Sequence, residues 1–387
     1  MKYLALNNIA KAGLDRFPKD YEAVTDINDA DAVILRSYNM LDMEMPKNLK
    51  AIGRSGAGTN NIPVEKCAEQ GIIVFNTPGA NANGVKELVI LGLILAARDA
   101  KGGMKWVDEN KGDENINKTM EKAKAQFAGT EIAGKTLGVI GLGAIGVLVA
   151  NSAIDLKMKV VGYDPFLSVN SALQLDPAVK VVTNVDDLYA SCDYITIHVP
   201  MNDSTKKMIN GDAMAKMKDG VAILNFARDG LVCDMCLEEA LKSGKVRKYV
   251  TDLPNYKTAN MDNVIAFPHL GASTEESETN CAIMAADELT DFLENGNITN
   301  SVNFPSMSLG KATKPMRICL IHKNIPNVIS KITTVLGNSN ANISDMVSKS
   351  KGDYAYAIFD MDHKLDQETL NTLNKTDGVI RIMVIEN

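Results

Sequence analysis

A glycine-rich turn between a buried strand and a helix limits the folds open to this chain more than any other feature. The sequence predicts a strand over residues 136–140, then the turn Gly141-Leu142-Gly143-Ala144-Ile145-Gly146, then a helix to residue 156. The first glycine permits the tight turn, the second lets the backbone approach a diphosphate, and the third lets the helix pack close to the strand. The start of the helix presents unpaired N–H groups and a positive dipole end to that diphosphate.

An aspartate closes the strand that follows the turn. The strand is predicted over residues 159–163 and ends at Asp164, about twenty residues after the glycines. Its carboxylate would accept hydrogen bonds from both ribose hydroxyls and would repel a 2′-phosphate. Glycines alone also serve ordinary turns, but strand, turn, helix and spaced aspartate together predict a dinucleotide site that favours NAD over NADP.

Strand-like and helical segments alternate along the chain, which predicts an α/β fold with parallel sheets. Before the glycine turn we expect strands at 32–36, 50–55 and 71–76, a helix at 83–97 and a polar excursion at 101–124 that contains Trp106. After it we expect strands at 159–163, near Val181, and at 194–199, 221–226, 248–252 and 264–266, and a long helix at 275–295. The repeated unit indicates a doubly wound, Rossmann-type sheet.

Composition excludes several classes of protein. Of 387 residues 45% are apolar and 23% are charged, which is ordinary globular usage. The net charge of −7 comes with no basic block, so we expect no nucleic-acid partner. No apolar run is long enough to span a membrane, and the charged residues 1–20 do not resemble a signal peptide, so we expect a cytoplasmic protein.

The six cysteines are dispersed, which favours reduced thiols. Cys233 and Cys236 form a C-x-x-C, but no second pair at zinc-ligand spacing accompanies them. We therefore favour a helix-packing role for this pair over a redox or metal role, and we expect no metal.

Hydride transfer to or from a carbonyl carbon needs a group that exchanges a proton near neutral pH, and histidine is the natural choice. Of four histidines, His269 follows a predicted strand and precedes the small-residue loop 270–274. A carboxylate substrate also needs a rigid cation, and Arg228 lies just past the strand that ends at Phe226. The alternative for Arg228 is a surface arginine in a turn.

Five tracts carry a resemblance to a known family. GKTLGVIGLGAIG, the tract around Arg228, and NVIAFPHLGAST are similar to the D-isomer-specific 2-hydroxyacid dehydrogenases. GRSGAGTNNI (53–62) and NTPGANANGVKE (76–87) resemble the branch of that family that acts on a phosphorylated 2-hydroxy acid. The resemblance covers nearly the whole chain.

The resemblance implies roles for individual residues. Arg228 would bind the substrate carboxylate and carbonyl oxygen, and His269 would be the general acid or base. The other substrate contacts would be Arg54, Ser55 and Gly56, in the family's phosphate-binding loop, and Asn81. The implied cofactor contacts are Gly141, Gly143, Ala144, Ile145, Gly146, Asp164, His198, Val199, Pro200, Ala227, Arg228, Asp252, His269 and Gly271.

One position departs from the family. A glutamate about five residues after the aspartate equivalent to Asp252 usually pairs with the histidine and raises its pKa. Here that position is Lys257, and the segment leading to His269 is short. The sequence therefore leaves the carboxylate that orients His269 unassigned.

Residues 316–387 follow the order strand, helix, strand, strand, helix, strand, which is ferredoxin-like, and resemble an ACT domain. The resemblance places His322, Asn324 and Asn342 at effector contacts, where L-serine would bind between paired domains. Asn327 stands where such turns carry glycine, and asparagine tolerates the left-handed conformation. The alternative is a domain that only dimerises.

We expect three regions: a discontinuous flavodoxin-like substrate domain (1–98 and 276–304), an NAD-binding domain (99–275) and, after a linker (305–315), the ACT domain (316–387). The two connections imply a hinge and closure. The resemblance implies NAD-dependent oxidation of D-3-phosphoglycerate, the first step of serine synthesis, by a homodimer or homotetramer. Alternatives are a reductase of unphosphorylated glyoxylate or hydroxypyruvate, and a non-catalytic NAD-sensing protein.

Overall fold

The computed structural model describes residues 1–339 and 341–387. The strands are β1 (Lys2–Leu6), β2 (Glu22–Val24), β3 (Ala32–Leu35), β4 (Ala51–Arg54), β5 (Ile73–Asn76), β6 (Thr136–Ile140), β7 (Lys159–Tyr163), β8 (Lys180–Val182), β9 (Tyr194–Ile197), β10 (Val221–Asn225), β11 (Val246–Thr251), β12 (Val264–Ala266), β13 (Met316–Lys323), β14 (Ile343–Lys351), β15 (Tyr354–Met361) and β16 (Val379–Glu386). The helices are α1 (Lys11–Leu14), α2 (Val64–Glu69), α3 (Ala82–Ala97), α4 (Ala100–Asn110), α5 (Ile116–Ala123), α6 (Ala144–Asp155), α7 (Val169–Gln174), α8 (Val185–Ser191), α9 (Gly211–Lys216), α10 (Asp234–Ser243), α11 (Tyr256–Ala259), α12 (Glu275–Asn295), α13 (Val328–Asn338) and α14 (Gln367–Asn374). Among these residues no helix combines the length and the apolar content needed to cross a bilayer.

The chain divides into two compact units. Residues 81–277 form the central unit, and residues 1–80 with 278–387 form the terminal unit. Each unit has its own parallel sheet, and the terminal unit also contains the small antiparallel sheet. The predicted α/β fold class is confirmed.

The central unit contains a seven-stranded parallel sheet in the order β12-β11-β10-β9-β6-β7-β8. The chain runs outward from β6 to β8 and then returns to β9 on the other side of β6, so the strand order reverses between β6 and β9. This is the doubly wound arrangement, in which ligands bind beyond the carboxyl ends of the strands near the reversal. Helix α3 belongs to this unit, where Val89 and Leu93 pack in one apolar cluster with Leu137 and Leu224 of the sheet.

The terminal unit contains a five-stranded parallel sheet in the flavodoxin-like order β2-β1-β3-β4-β5. Helix α12 covers one face, with Ala285, Leu289 and Phe292 in the same cluster as Phe75. A side chain at Gly53 would come within 2.8 Å of Leu289, which is why a glycine interrupts β4.

The C-terminal residues form a four-stranded antiparallel sheet in the order β14-β15-β13-β16, the ferredoxin-like arrangement. One face packs on α13 and α14, and the other, through Tyr356 and Ile358, joins the cluster of Phe75 and Phe292. The Tyr356 hydroxyl donates to the Gly296 carbonyl oxygen at 2.8 Å. The small sheet is therefore packed against the first sheet within one compact unit.

Residues 305–315, whose composition predicts a linker, are partly ordered by packing. Met307 and Ala312 are buried, and the Met307 N–H donates to Ile298 O at 3.0 Å. Two apolar side chains thus attach this segment, which contains two serines, two lysines and two prolines, to the terminal unit.

Candidate active site

One row of the central sheet aligns the predicted site residues. Backbone pairing joins six strand-end residues in a single register row across β7, β6, β9, β10, β11 and β12, namely Tyr163, Ile140, Ile197, Asn225, Thr251 and Ala266. The loops that leave this row contain Gly141, Asp164, His198, Arg228, Asp252 and His269. Because the strands are parallel, all six loops begin at the same edge of the sheet, and the loops after β6 and β9 flank the point where the strand order reverses.

The structure gives a different physical reason for glycine at each of the three positions of the turn. Gly141 has a φ of +90°, and a Cβ there would lie 2.5 Å from His198 O. A Cβ on Gly146 would overlap the Gly141 carbonyl oxygen, so helix α6 can approach β6 only with glycine at this position. Gly143 has no described atom within 4 Å of its Cβ position and an ordinary φ of −78°. The protein's own packing therefore explains Gly141 and Gly146 but leaves an open cradle at Gly143.

The start of α6 faces this cradle. Gly143 is the N-cap residue and supplies no side-chain acceptor to the first turn. The leading N–H groups of a helix have no partner within the helix, so they are available to an anion. Ala144 is exposed and Ile145 half-buried at the mouth of the turn, and Val199 lies beside Gly141.

Asp164 links the glycine turn to the end of β7. Its Oδ2 accepts from Leu142 N and its Oδ1 from Phe166 N, both at 2.8 Å. Each carboxylate oxygen can accept a further hydrogen bond. The side chain is thus fixed next to the cradle and retains the capacity to accept further hydrogen bonds.

Asp252 is 1% exposed and incompletely satisfied. Its Oδ2 accepts from Gly271 N at 2.8 Å, and its backbone oxygen accepts from His269 N at 2.8 Å. Its Oδ1 has no hydrogen-bond partner among the described residues. Burial raises the pKa of this carboxyl, and an unpaired buried oxygen is costly, so the position suits a donor such as a carboxamide NH₂.

His198 is a second incompletely satisfied group at this edge. Its Nε2 lies 3.0 Å from Thr196 Oγ1, and its Nδ1 has no partner within the described part of the chain. Burial lowers the pKa of His198 to about 3, so the ring is neutral at physiological pH. The backbone of His198 lies beside Gly141, and its neutral ring is not suited to acid or base chemistry. The next residue but one, Pro200, is exposed.

Arg228 lies in a loop that a buried asparagine holds in place. Asn225 is 1% exposed; its Nδ2 donates to Arg228 O at 2.9 Å and its Oδ1 accepts from Ala227 N at 3.1 Å. The Arg228 side chain is exposed, and Nη1 donates to Ala227 O at 2.6 Å. Sequence reasoning gave Asn225 no role, although an amide that ends the apolar strand VAILN is a detectable sign of a positioned loop.

His269 is exposed and has a φ of +36°, which is unusual for a residue with a side chain. Such strain concentrates at functional sites. Lys257, where the family usually has glutamate, instead lies near Glu238 of α10. Asp252 is linked to the histidine by its backbone oxygen, which accepts from His269 N, and the charge of His269 lowers the pKa of the Asp252 carboxyl.

The predicted phosphate-binding loop lies in the terminal unit, at the end of β4. Ser55 N donates to Leu35 O at 2.7 Å and Gly56 N to Thr77 Oγ1 at 2.6 Å, so both N–H groups are used within the chain. Gly56 has a φ of +136°, and the Arg54 guanidinium occupies the place that a Cβ would need. Glycine is therefore required for the placement of Arg54, and the guanidinium rather than the loop backbone is the group that could bind an anion.

The remaining predicted residues are dispersed. Asn81 begins α3 in the central unit and is half-buried. His322 is buried near one end of the small sheet, paired with Ala355, whereas Asn342 precedes Ile343, which pairs with Met361 at the other end. The two ends are six positions apart along β13, which corresponds to about 20 Å. Asn324 lies with His322, so one chain alone does not bring the three effector residues together.

Asn327 adopts the left-handed conformation expected of it. Its φ is +69° and its ψ 0°, and it precedes α13 as the N-cap residue. The asparagine thus preserves the turn in place of glycine, as predicted.

Substituting Gly143 tests the open cradle. We expect Gly143→Val to leave the unliganded protein folded, because a Cβ at this position has no protein atom within 4 Å other than its chain neighbours. The valine side chain would occupy the space of the diphosphate, at about 1–3 kcal/mol for overpacking, or about 10- to 100-fold in the NADH dissociation constant. Gly112→Val is the matched control, because a Cβ at Gly112 also has no such described atom within 4 Å. Unchanged NADH affinity in Gly143→Val would contradict the assignment.

Comparison with known proteins agrees with this geometry. Residues 91–271 match the NAD binding domain of the D-isomer specific 2-hydroxyacid dehydrogenases. Over 307 residues the chain is 36% identical to D-3-phosphoglycerate dehydrogenase of Archaeoglobus fulgidus, in an alignment that covers 77% of this chain. It is 30% identical to D-3-phosphoglycerate dehydrogenase 1 of Saccharomyces cerevisiae, over 100% of this chain and 87% of the yeast protein.

The chain spans 55% of the length of the archaeal relative. The crystal structure of NAD⁺-bound 3-phosphoglycerate dehydrogenase from Entamoeba histolytica aligns with 78% of this chain and 98% of its own, with a TM-score of 0.60 and 28% identity. The family resemblance and the NAD prediction made from sequence are confirmed. The open space at Gly143, the start of α6 without a side-chain cap and the unpaired oxygen of Asp252 agree with these comparisons. The chain therefore belongs to the D-isomer specific 2-hydroxyacid dehydrogenases and takes NAD as its cofactor.

Proposed function

We propose that this chain oxidises D-3-phosphoglycerate to 3-phosphohydroxypyruvate with NAD, as the first step of serine synthesis. The observation that carries the proposal is the register row that aligns Arg228, Asp252 and His269 at one sheet edge with the glycine turn. The names of the archaeal, yeast and amoebal relatives support the phosphorylated substrate.

In this proposal each side chain has a separate role in the reaction. NAD, when bound, would supply the acceptor for the hydride that leaves carbon 2 of the substrate. His269 removes the proton of the carbon-2 hydroxyl, and in the reverse direction returns it to the carbonyl oxygen. Arg228 binds the carboxylate through paired N–H donors and stabilises the developing carbonyl oxygen. Asp252 holds His269 through its backbone oxygen and keeps one carboxylate oxygen for the carboxamide.

Arg54 supplies the charge that a phosphate requires. The chain has a net charge of −7, so an anionic substrate depends on local cations rather than on the overall field. Gly56 leaves room for the guanidinium, because a Cβ at that position would overlap Arg54 Nη1. We assign this group to the substrate phosphate, with Ser55 and Gly56 as its support.

Replacing Arg54 tests the substrate assignment. We expect Arg54→Ala to raise the KM for 3-phosphoglycerate about 10- to 100-fold, the loss of about 1.5–3 kcal/mol from a hydrogen bond to a charged group. Its turnover of unphosphorylated hydroxypyruvate should be unaffected. Arg16→Ala is the matched control, because Arg16 is an exposed arginine of the same unit that pairs with Asp287 at 2.7 Å.

Two results would contradict the assignment. An unchanged KM for 3-phosphoglycerate in Arg54→Ala would remove Arg54 from the phosphate site. Faster turnover of glyoxylate or hydroxypyruvate than of the phosphorylated acid by the unaltered protein would instead favour the reductase.

Replacing His269 tests the proton transfer. We expect His269→Asn to lower kcat by about 10²- to 10⁴-fold, the usual contribution of a general acid or base. Binding of NADH, followed by its fluorescence, should persist, because Gly143, Asp164 and Asp252 remain. Retained turnover would contradict the role, and an unaltered protein inactive on a panel of 2-hydroxy acids would indicate an NAD-sensing protein.

We also propose that L-serine binds the C-terminal, ACT-like sheet of a cytoplasmic homodimer or homotetramer. The separation of His322 and Asn342 at opposite ends of one sheet supports a site built from two copies, since two-fold pairing brings opposite ends together. Added L-serine should slow NAD reduction, and Asn324→Ala should weaken this inhibition, whereas exposed Asn338→Ala should not. A serine-insensitive native enzyme would leave the domain with a dimerising role only.

A further inference from the structure

Two cysteines meet at the start of helix α10. Cys233 is the N-cap residue and Cys236 lies in the first turn, with their Sγ atoms 2.7 Å apart. The two sulfur atoms are therefore already in contact. A C-x-x-C pair at the start of a helix is an arrangement in which a reversible disulfide forms.

The other cysteines are in different surroundings. Cys67, Cys192, Cys281 and Cys319 are all buried and free, and burial raises the pKa of each thiol, to about 12 for Cys67 and Cys319 and about 11 for Cys192. Such thiols are poor nucleophiles because the thiolate is the reactive form. Cys236, by contrast, is partly exposed, and Cys233, although buried, has its Sγ atom in contact with that of Cys236.

Cys233 has the character of an attacking thiol. Burial raises its pKa, but the hydrogen bond with Cys236, the backbone N–H of Cys236, the charge of Lys207 and the N–H of Met235 together lower it more. The pKa of Cys236 is raised, mainly by the same hydrogen bond. One thiol of the pair thus favours the thiolate and its neighbour retains the proton, as in reactive C-x-x-C pairs at helix starts.

We propose that Cys233 and Cys236 form a reversible dithiol–disulfide centre that reacts with hydroperoxides. The Cys233 thiolate attacks one peroxide oxygen, the O–O bond breaks, and a sulfenic acid forms while the other oxygen leaves as water or an alcohol. The Cys236 sulfur then displaces the sulfenic oxygen as water and forms the S–S bond. Two thiols and one hydroperoxide give one disulfide, one water and one water or alcohol, and a dithiol reductant reverses the change.

The centre lies on the segment that leads from the Arg228 loop into α10. Val232 is bridged to Ile209, Cys233 N donates to Ile209 O at 2.9 Å, and Asp234 Oδ2 accepts from Asn255 Nδ2 at 3.0 Å. The first turn of α10 is therefore held on both sides, which keeps the two sulfur atoms together. The proposal concerns the thiols alone and does not depend on the dehydrogenase activity.

The sequence allows a direct test by peptide mapping. Trypsin cuts after Arg228 and Lys242, so residues 229–242 leave in one peptide that contains both cysteines and none of the other four. The full-length native protein is treated with hydrogen peroxide, blocked with iodoacetamide and digested. We expect this peptide to lack alkyl groups and to be lighter by two hydrogens, and dithiothreitol before blocking to restore two alkylated cysteines.

Two variants and the rate of alkylation by iodoacetamide provide further tests. In Cys236→Ser the Cys233 sulfenic acid has no partner, so a sulfenic acid trap should label Cys233, whereas Cys192→Ser should still form the disulfide. In the reduced protein, iodoacetamide should modify the Cys233–Cys236 pair faster than it modifies Cys192, whose thiol is buried and has a raised pKa. The proposal is overturned if the oxidised native peptide carries two alkyl groups or only sulfinic or sulfonic acids, or if Cys192 reacts faster than both thiols of the pair.

Discussion

Parallel pairing in register is the constraint on which the site depends. Each strand of the central sheet ends within one row, so a residue placed one to three positions after a strand arrives at the same edge as its counterparts from the neighbouring strands. Residues as far apart as Gly141 and His269 are gathered in this way without any direct contact between them. The apolar strand interiors fix the register, because a slip by one residue would turn buried side chains outward.

At that edge, unfilled space and unpaired polar atoms distinguish the residues that are available to a ligand from those that only stabilise the fold. Gly141 and Gly146 are explained by close backbone contacts, but Gly143 leaves open space that the protein does not use. Asp252 keeps a buried oxygen without a partner in the described chain, which folding alone would disfavour. We propose that bound NAD accounts for both, because its diphosphate would need the space and its carboxamide would supply a donor.

The sequence predicted the strands and helices around the site accurately and the outermost strands of the sheets less well. Strands β6, β7 and β12 and helix α12 have the predicted ends, because continuous apolar runs and the glycine turn delimit them. The edge strand β2 and its neighbour β1 were not predicted, since KYLAL and EAV are short and only partly apolar. Packing of the C-terminal sheet on Phe75 and Phe292 could not be foreseen either, because it depends on shapes brought together over long separations.

Side-chain partners were the least predictable part of the site. The placement of Arg228 by Asn225, and of Gly56 by Thr77, depends on hydrogen bonds between loops and strands that no local pattern encodes. The missing family glutamate was visible in the sequence as Lys257, but the structural tie between Asp252 and His269 was not.

A crystal structure of the full chain with NADH bound would test the proposed site most directly. We predict the diphosphate over Gly143, the adenosine ribose on Asp164, the carboxamide on the free oxygen of Asp252, and His269 and Arg228 facing carbon 4 of the nicotinamide. A dinucleotide bound away from this edge, or one whose nicotinamide faces neither His269 nor Arg228, would contradict it.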